Sequence, residues 1–273
     1  MGGLPVFVSR DLSEISVEYL FCDAVFESLR RQGAKEALLV AWCIDSEGRK
    51  HLLHLAVGNK ESETAWTEFF RNLVSRGMRT PTSVTTDGAP GMIKAVEAVF
   101  SRSIRMRCWF HRLANIRSKL PDEAAPEVMA HLYAVRDAPT LDAARAGADR
   151  FTNTFSREFP SAVACFEDDR EALLAIHRVP VRHRIRVRTT NLAERSFEEE
   201  RRRTKVIPRL MTERSTMKLV FATMIRTAER WCRVSVSDLE RHQLTLLRAE
   251  LGLDPPPQHD RAKQRKESHR SAA

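Results

Sequence analysis

No stretch of the sequence approaches the roughly 18 to 20 consecutive apolar residues that a membrane-spanning helix needs, so no membrane span is expected. The first residues, MGGLPVFVSRDLSE, lack the charged-then-apolar pattern of a secretory signal, and a cytoplasmic location is the expectation. Cysteine is scarce. The five present (Cys22, Cys43, Cys108, Cys165, Cys232) are odd in number and form no CxxC pair, which argues against a disulfide framework and against a four-thiolate zinc site. Internal repeats are also missing. What remains is a chain of 273 residues, 42% hydrophobic, with 13 Phe and 4 Trp. That is enough apolar material for one large domain or a domain with an insertion, and it excludes a wholly disordered chain.

Lys and Arg number 45 against 36 Asp and Glu, a formal net charge of +9. From Arg182 to Arg209 there are ten Lys/Arg and four Glu, a net of +6, and from Pro255 to Ala273 five against two, a net of +3. The remainder is neutral overall. A localised basic stripe suits a polyanion such as nucleic acid; a salt-bridged helix face with a solvated tail would give the same count.

The apolar run Val17–Val25 reads as a strand, and Ala37–Asp45 with Lys50–Val57 as an antiparallel pair joined at Ser46-Glu47-Gly48. Glu61–Arg76 has helical spacing and ends at Gly77, a plausible C-cap. Thr82–Thr86 then reads as a strand, Ala89–Phe100 as a helix and Ile104–Trp109 as a strand. Three strands before the first helix predict a mixed sheet, antiparallel on one side and parallel on the other. Residues from His111 to about His177 read as helical, followed by a basic helix from Leu192 to Pro208 and an amphipathic helix Ser215–Arg233 carrying Met217, Val220, Phe221, Met224, Ala228 and Trp231. The divisions expected are the first part of a core at 1–110, a helical insertion at 111–180, the second part of that core at 181–254 and a disordered basic tail at 255–273.

Three acids stand out by position. Asp23 lies inside a strand, where an unpaired buried carboxylate needs a partner or a cation. Asp87 follows the fourth strand and precedes a helix, where α/β sheets place their sites. Glu194 lies in the first turn of the basic helix. Packing that helix on the sheet would let all three converge on a pair of divalent cations, for which Mg²⁺ with its preference for oxygen donors is the natural ion. Structural alternatives stand beside each: a turn for Asp23, a helix-capping turn for Asp87-Gly88, and a capping box from Asn191 to Glu194.

The stretches TTDGAPGMIKAVEAVF, RCWFHRLANI and RTTNLAERSFEEERRRTKVIPRL resemble the Mutator-like transposases of bacterial insertion sequences, and the likeness runs from about Asp11 to Arg248. The resemblance implies a ribonuclease H-like α/β fold with an all-helical insertion before the last catalytic helix. It implies Asp23, Asp87 and Glu194 as a DDE triad binding two Mg²⁺ or Mn²⁺ ions, with Glu198 and Glu199 as alternatives for the third acid. The chemistry implied is DNA strand cleavage by water, then attack of the freed 3′-hydroxyl on target DNA, in a nucleoid-associated assembly of at least two copies. Arg195, Arg201, Arg202, Arg203 and Lys205 are the expected phosphate contacts, with Arg202 and Lys205 nearest the DNA. The Cys108-x-x-His111 pair looks like half a zinc site, but no second pair at matching spacing follows, so it reads as a structural feature near the active site, and Trp109, Phe110 and Trp231 as packing groups. Relatives carry a helical end-recognition region ahead of the first strand, which only a few residues precede here. The expectation is therefore a catalytic core without that module, the alternative being a transposition-incompetent, DNA-binding or oligomerising remnant.

Overall fold

The computed structural model describes residues 4–27, 36–58, 62–204, 213–229 and 231–254. A short helix α1 (Leu4–Ser9) leads into three long strands, β1 (Val17–Glu27), β2 (Glu36–Asp45) and β3 (Lys50–Gly58). Then come α2 (Glu63–Ser75), β4 (Ser83–Thr86), α3 (Pro90–Val99) and β5 (Ile104–Arg107). The five strands form one sheet in the order β3-β2-β1-β4-β5. β1 pairs antiparallel with β2, and β2 with β3, whereas β4 runs parallel to both β1 and β5. The mixed sheet expected from three strands before the first helix is therefore observed.

The β2–β3 turn is built by Asp45, whose carboxylate accepts the backbone N–H groups of Glu47 and Arg49 at 2.9 and 2.8 Å. The α2 stop likewise has a local cause. Gly77 adopts φ +84°, where its N–H bonds to the Val74 carbonyl, and a Cβ there would press on the Asp11 carboxylate and Ser13.

Alternation along β1 sends Tyr19 and Phe21 to one face and Leu20 and Cys22 to the other, and both sets are buried. On the Leu20 face, Trp66, Phe69, Phe70 and Leu73 of α2 join Met92, Ala95 and Val96 of α3 in one apolar cluster. On the Tyr19 face lie α1 and a helical region comprising α4 (Trp109–Arg117), α5 (Ala125–Arg136), α6 (Leu141–Phe155), α7 (Pro160–Glu167), α8 (Arg170–Leu174), a 3₁₀ turn (Ala175–Arg178) and α9 (Val181–Val187). The same face carries α10 (Asn191–Thr204) and α11 (Glu213–Ala228), and α12 (Asp238–Glu250) closes the described chain. Among the described residues, no helix is long and apolar enough to cross a membrane.

Four local expectations change. β5 ends at Arg107 rather than at Trp109, because the Trp109 N–H bonds to the Arg188 carbonyl and its indole N–H to the Leu173 carbonyl, so this residue opens α4. Phe110 is 60% exposed and is not a core residue. The buried stripe of α4 is Trp109, Leu113 and Ile116, and Phe110 is rotated off it. α11 stops at Ala228, so Trp231 lies beyond the helix, with its ring 4.6 Å from that of Trp42. The helix expected from Leu192 begins at Asn191, and its expected end at Pro208, like the tail from Pro255, lies outside the described residues.

Candidate active site

Two hydrogen bonds clamp the helices following β5 onto the first two strands. Tyr19 Oη lies 2.7 Å from His183 Nδ1 of α9, and the Trp42 indole donates to Ser196 Oγ of α10 at 3.1 Å. Asp23 shares the side parity of Tyr19 and Phe21 and so faces the α9–α10 side. Its carboxyl is almost wholly buried and accepts the N–H of Ala24. Burial, then the charge of Asp87, push it up to about 7, with the Ala24 N–H and His111 pulling the other way and Glu194 adding to the rise.

Asp87 lies just past β4, and its Oδ1 accepts the Ala89 N–H at 3.0 Å ahead of Pro90 in the first turn of α3. Gly88 between them has φ +91°, and a Cβ there would collide with the Arg107 guanidinium. Arg107 ends β5, donates to Asp169 Oδ2 at 2.8 Å and is nearly buried. Arg105 and Arg112 share the Asp169 carboxylate. Burial, then Arg112, lower Arg107 to about 10, against the favourable charge of Asp87. Arg107 thus packs beneath the Asp87 turn as a fixed cation, a role that sequence reading missed although the residue belongs to the RCWFH stretch.

Glu194 sits in the first turn of α10, where Thr190 Oγ1 donates to its Oε1 at 2.6 Å. No capping box forms from Asn191, because the helix already begins there and the residue before it, Thr190, holds the acid instead. Thr190 also ties α10 to α4, since its N–H donates to Cys108 Sγ at 3.4 Å. Nδ1 of His111 lies 3.9 Å from Glu194 Oε1 and is buried without a partner in hydrogen-bonding geometry. The adjacent Cys108 thiol, opposed by burial and reinforced by Glu194 and Asp23, raises the imidazole to about 9. Cys108 itself is raised by burial but more than offset by His111 and Thr190, for a net lowering. Asp23, Asp87 and Glu194 thus share one electrostatic neighbourhood, with His111 inside it.

Glu198 and Glu199 line a separate cleft with Arg195, Arg202 and Trp231, and Glu199 binds Arg202 through both carboxylate oxygens at 3.0 and 2.9 Å. Arg201 and Arg202 are exposed on α10, whereas the Arg203 side chain and Lys205 lie outside the described residues. Arg195 faces a neighbouring cleft shared with Lys50, Arg186 and Trp231. Burial and then the charges of Arg186 and Arg195 lower the Lys50 ammonium, which donates to the Cys232 carbonyl at 2.8 Å. Lys50 comes from β3, remote in sequence from the basic stripe, so no reading of charge runs could have included it.

Residues 3–234 match the family model described as Transposase, Mutator family. The chain belongs to the Mutator family of transposases. It is 34% identical over 243 residues to the transposase for insertion sequence element IS6120 of Mycolicibacterium smegmatis, an alignment covering 89% of this chain and 74% of that protein. It is 31% identical to the transposase for insertion sequence element ISRM5 of Rhizobium meliloti (strain 1021), covering 90% of this chain and 63% of the relative. For the transposase for insertion sequence element IST2 of Acidithiobacillus ferrooxidans the identity is 33%, with 71% and 66% covered. The chain spans about two thirds of the length of these three relatives.

Proposed function

We propose that this Mutator-family chain is the catalytic core of a DDE transposase on a ribonuclease H-like fold, acting on the phosphodiesters of DNA for transposition of an insertion sequence. The reading is supported above all by one arrangement: the parallel β1–β4 register runs toward Asp23 and Asp87 at the same end of the sheet, and α10, which carries Glu194 in its first turn, packs on β1 and is held to β2 through Ser196 and Trp42. A buried carboxyl pushed up to about 7 beside two further acids is a poor arrangement for a bare protein and a fitting one for a site that takes cations. The three donors are carboxylates, which suit two Mg²⁺ or Mn²⁺ ions. Bound there, the ions would supply charge neutralisation at the attacking and leaving oxygens of an in-line displacement.

The chain's own residues do the positioning. Thr190 orients Glu194, and Arg107 supports the Asp87 turn from below. Arg195, Arg186 and Lys50 present cations along one cleft beside the start of α10, where they would hold phosphates without reading sequence. Phe110, exposed next to His111, is placed to stack on an unpaired base at that edge. Joining two transposon ends requires at least two copies of the chain.

The test is Mg²⁺-dependent nicking of duplex DNA, followed by strand transfer from a pre-cleaved end. Cleavage by the wild type that is abolished in Asp87→Asn, with the fold retained, is the expected result. Equal cleavage by that variant would sink the assignment, and salt-sensitive DNA binding with no cleavage by the wild type would favour the remnant reading instead.

A further inference from the structure

The oxygen donors of the three acids account for Glu194 but not for the two groups standing next to it. Cys108 Sγ, a His111 ring nitrogen and a Glu194 carboxylate oxygen all lie within 4.8 Å of one another. Neither the thiol nor the imidazole has a use in a site for hard, oxygen-loving cations. Together with a carboxylate they are the donor set that borderline-soft ions prefer.

We propose that Cys108, His111 and Glu194 form a binding site for a thiophilic divalent cation, zinc in first place, with one coordination position left open. The site stands on these three side chains whether or not the chain cuts DNA. With Zn–S near 2.3 Å and Zn–N and Zn–O about 2.0–2.2 Å, neighbouring donors around a tetrahedral ion are about 3.5 Å apart. His111 Nδ1 and Glu194 Oε1, at 3.9 Å, are already near that spacing. The remaining closure is small. Cys108 and His111 flank the first turn of α4, three residues apart, so one helix start presents both donors to the same point. Glu194 arrives from the first turn of α10, and Thr190 supports two of the three donors at once, through its hydroxyl to Glu194 and its N–H to the sulfur. Polar partners of this kind orient metal ligands. The His111 Nδ1 atom, buried and without a hydrogen bond, is the position that an ion would satisfy. Four-thiolate sites were excluded by the cysteine pattern, but a one-thiolate site needs only this single pair and a distant acid.

The experiment is a cobalt titration of the reduced, metal-free full chain, read in the near ultraviolet, where a thiolate bound to Co²⁺ gives a charge-transfer band. The expected result is a band that saturates at one equivalent and is bleached by Zn²⁺. It is lost in Cys108→Ser and retained in Cys232→Ser, which removes the exposed thiol. Because Cys108 is buried and its replacement threatens the fold, His111→Gln serves as the second variant, with an expected drop in Zn²⁺ affinity of about tenfold or more by competition with a chromophoric chelator. Absence of the band from the wild type, its survival in Cys108→Ser, or unchanged zinc affinity in His111→Gln would each overturn the proposal.

Discussion

Asp23 makes the metal-free protein sensitive to alkali in a way that one substitution removes. Its carboxyl has an ordinary value of 3.8 and is raised to about 7 in the fold, first by burial and then by Asp87. Between those two values the folded state holds a proton that the unfolded chain has released, so stability falls as pH rises through this window. Three units at about 1.4 kcal/mol each amount to about 4 kcal/mol lost between pH 4 and pH 8. For a chain of this size that corresponds to roughly 8–16 °C in Tm. Asp23→Asn keeps the shape and removes the charge. With EDTA present, the variant should match the wild type near pH 3, be more stable by roughly 1.5 kcal/mol at pH 5 and by about 4 kcal/mol at pH 8, measured by urea or thermal unfolding. Mg²⁺ should narrow the difference at pH 8 by stabilising the wild type alone. A wild-type profile that is flat between pH 4 and 8, or an Asp23→Asn variant less stable than the wild type at pH 8, would refute the reasoning.

The other expected outcomes concern groups around that carboxyl. His111, raised from 6.5 to about 9, contributes stability that is fully present below pH 6.5 and is lost as pH rises through about 9, so His111→Gln should flatten the unfolding profile in that window and, by removing a charge that holds Asp23 down, move the upper end of the Asp23 window higher. Gly88→Ala forces a side chain onto φ +91° and against Arg107; the strain is about 1–3 kcal/mol, and nicking should fall by more than that loss of stability explains, because the Asp87 turn moves with it. Trp42→Phe deletes the donor to Ser196 while keeping most of the ring, and should cost about 1–2 kcal/mol in urea unfolding. Replacing Lys50, Arg186 and Arg195 together by Ala should reduce the slope of log affinity for duplex DNA against log salt by about 2–3, as measured by fluorescence anisotropy.

The strand pattern was legible because β1, β2 and β3 are long apolar runs separated by turn residues, and because the Asp-Gly after Thr86 marks where a strand gives way to a helix. Helix ends were less so. Spacing alone carries the last amphipathic helix to Arg233, but α11 ends at Ala228 and the Trp231 ring takes its place against Trp42 on β2, a contact that periodicity within one segment does not contain. Phe110 was grouped with Trp109 because both are aromatic; the helical stripe Trp109, Leu113, Ile116 would have put it outside. The six-residue α1 is too short for a periodic signal, whereas α12 carries its own in the sequence, with Ser237 and Glu240 at capping-box spacing ahead of Leu244 and Leu247.

What no local pattern could supply is how the proposed acids are placed, which rests on sheet order and side parity acting together. β1 is the central strand, so its partner on one side is the antiparallel β2 and on the other the parallel β4. Phe21 is level with Thr85, and continuing that parallel register two residues brings Asp23 level with Asp87 at the same end of the sheet. Thr85 donates to the Val187 carbonyl of α9, so the odd-numbered positions of both strands look toward the same helices. Glu194 comes from α10, which Ala193 and Phe197 pack onto this face and whose Ser196, two residues on, accepts from the Trp42 indole on the neighbouring strand. A shift of one residue in β1 would send Asp23, with Tyr19 and Phe21, to the α2–α3 side and bring Leu20 and Cys22 to face α9 and α10, leaving Asp87 and Glu194 without it. The buried rings of Tyr19, Phe21 and Trp42, rather than the acids themselves, fix the register on which this site depends.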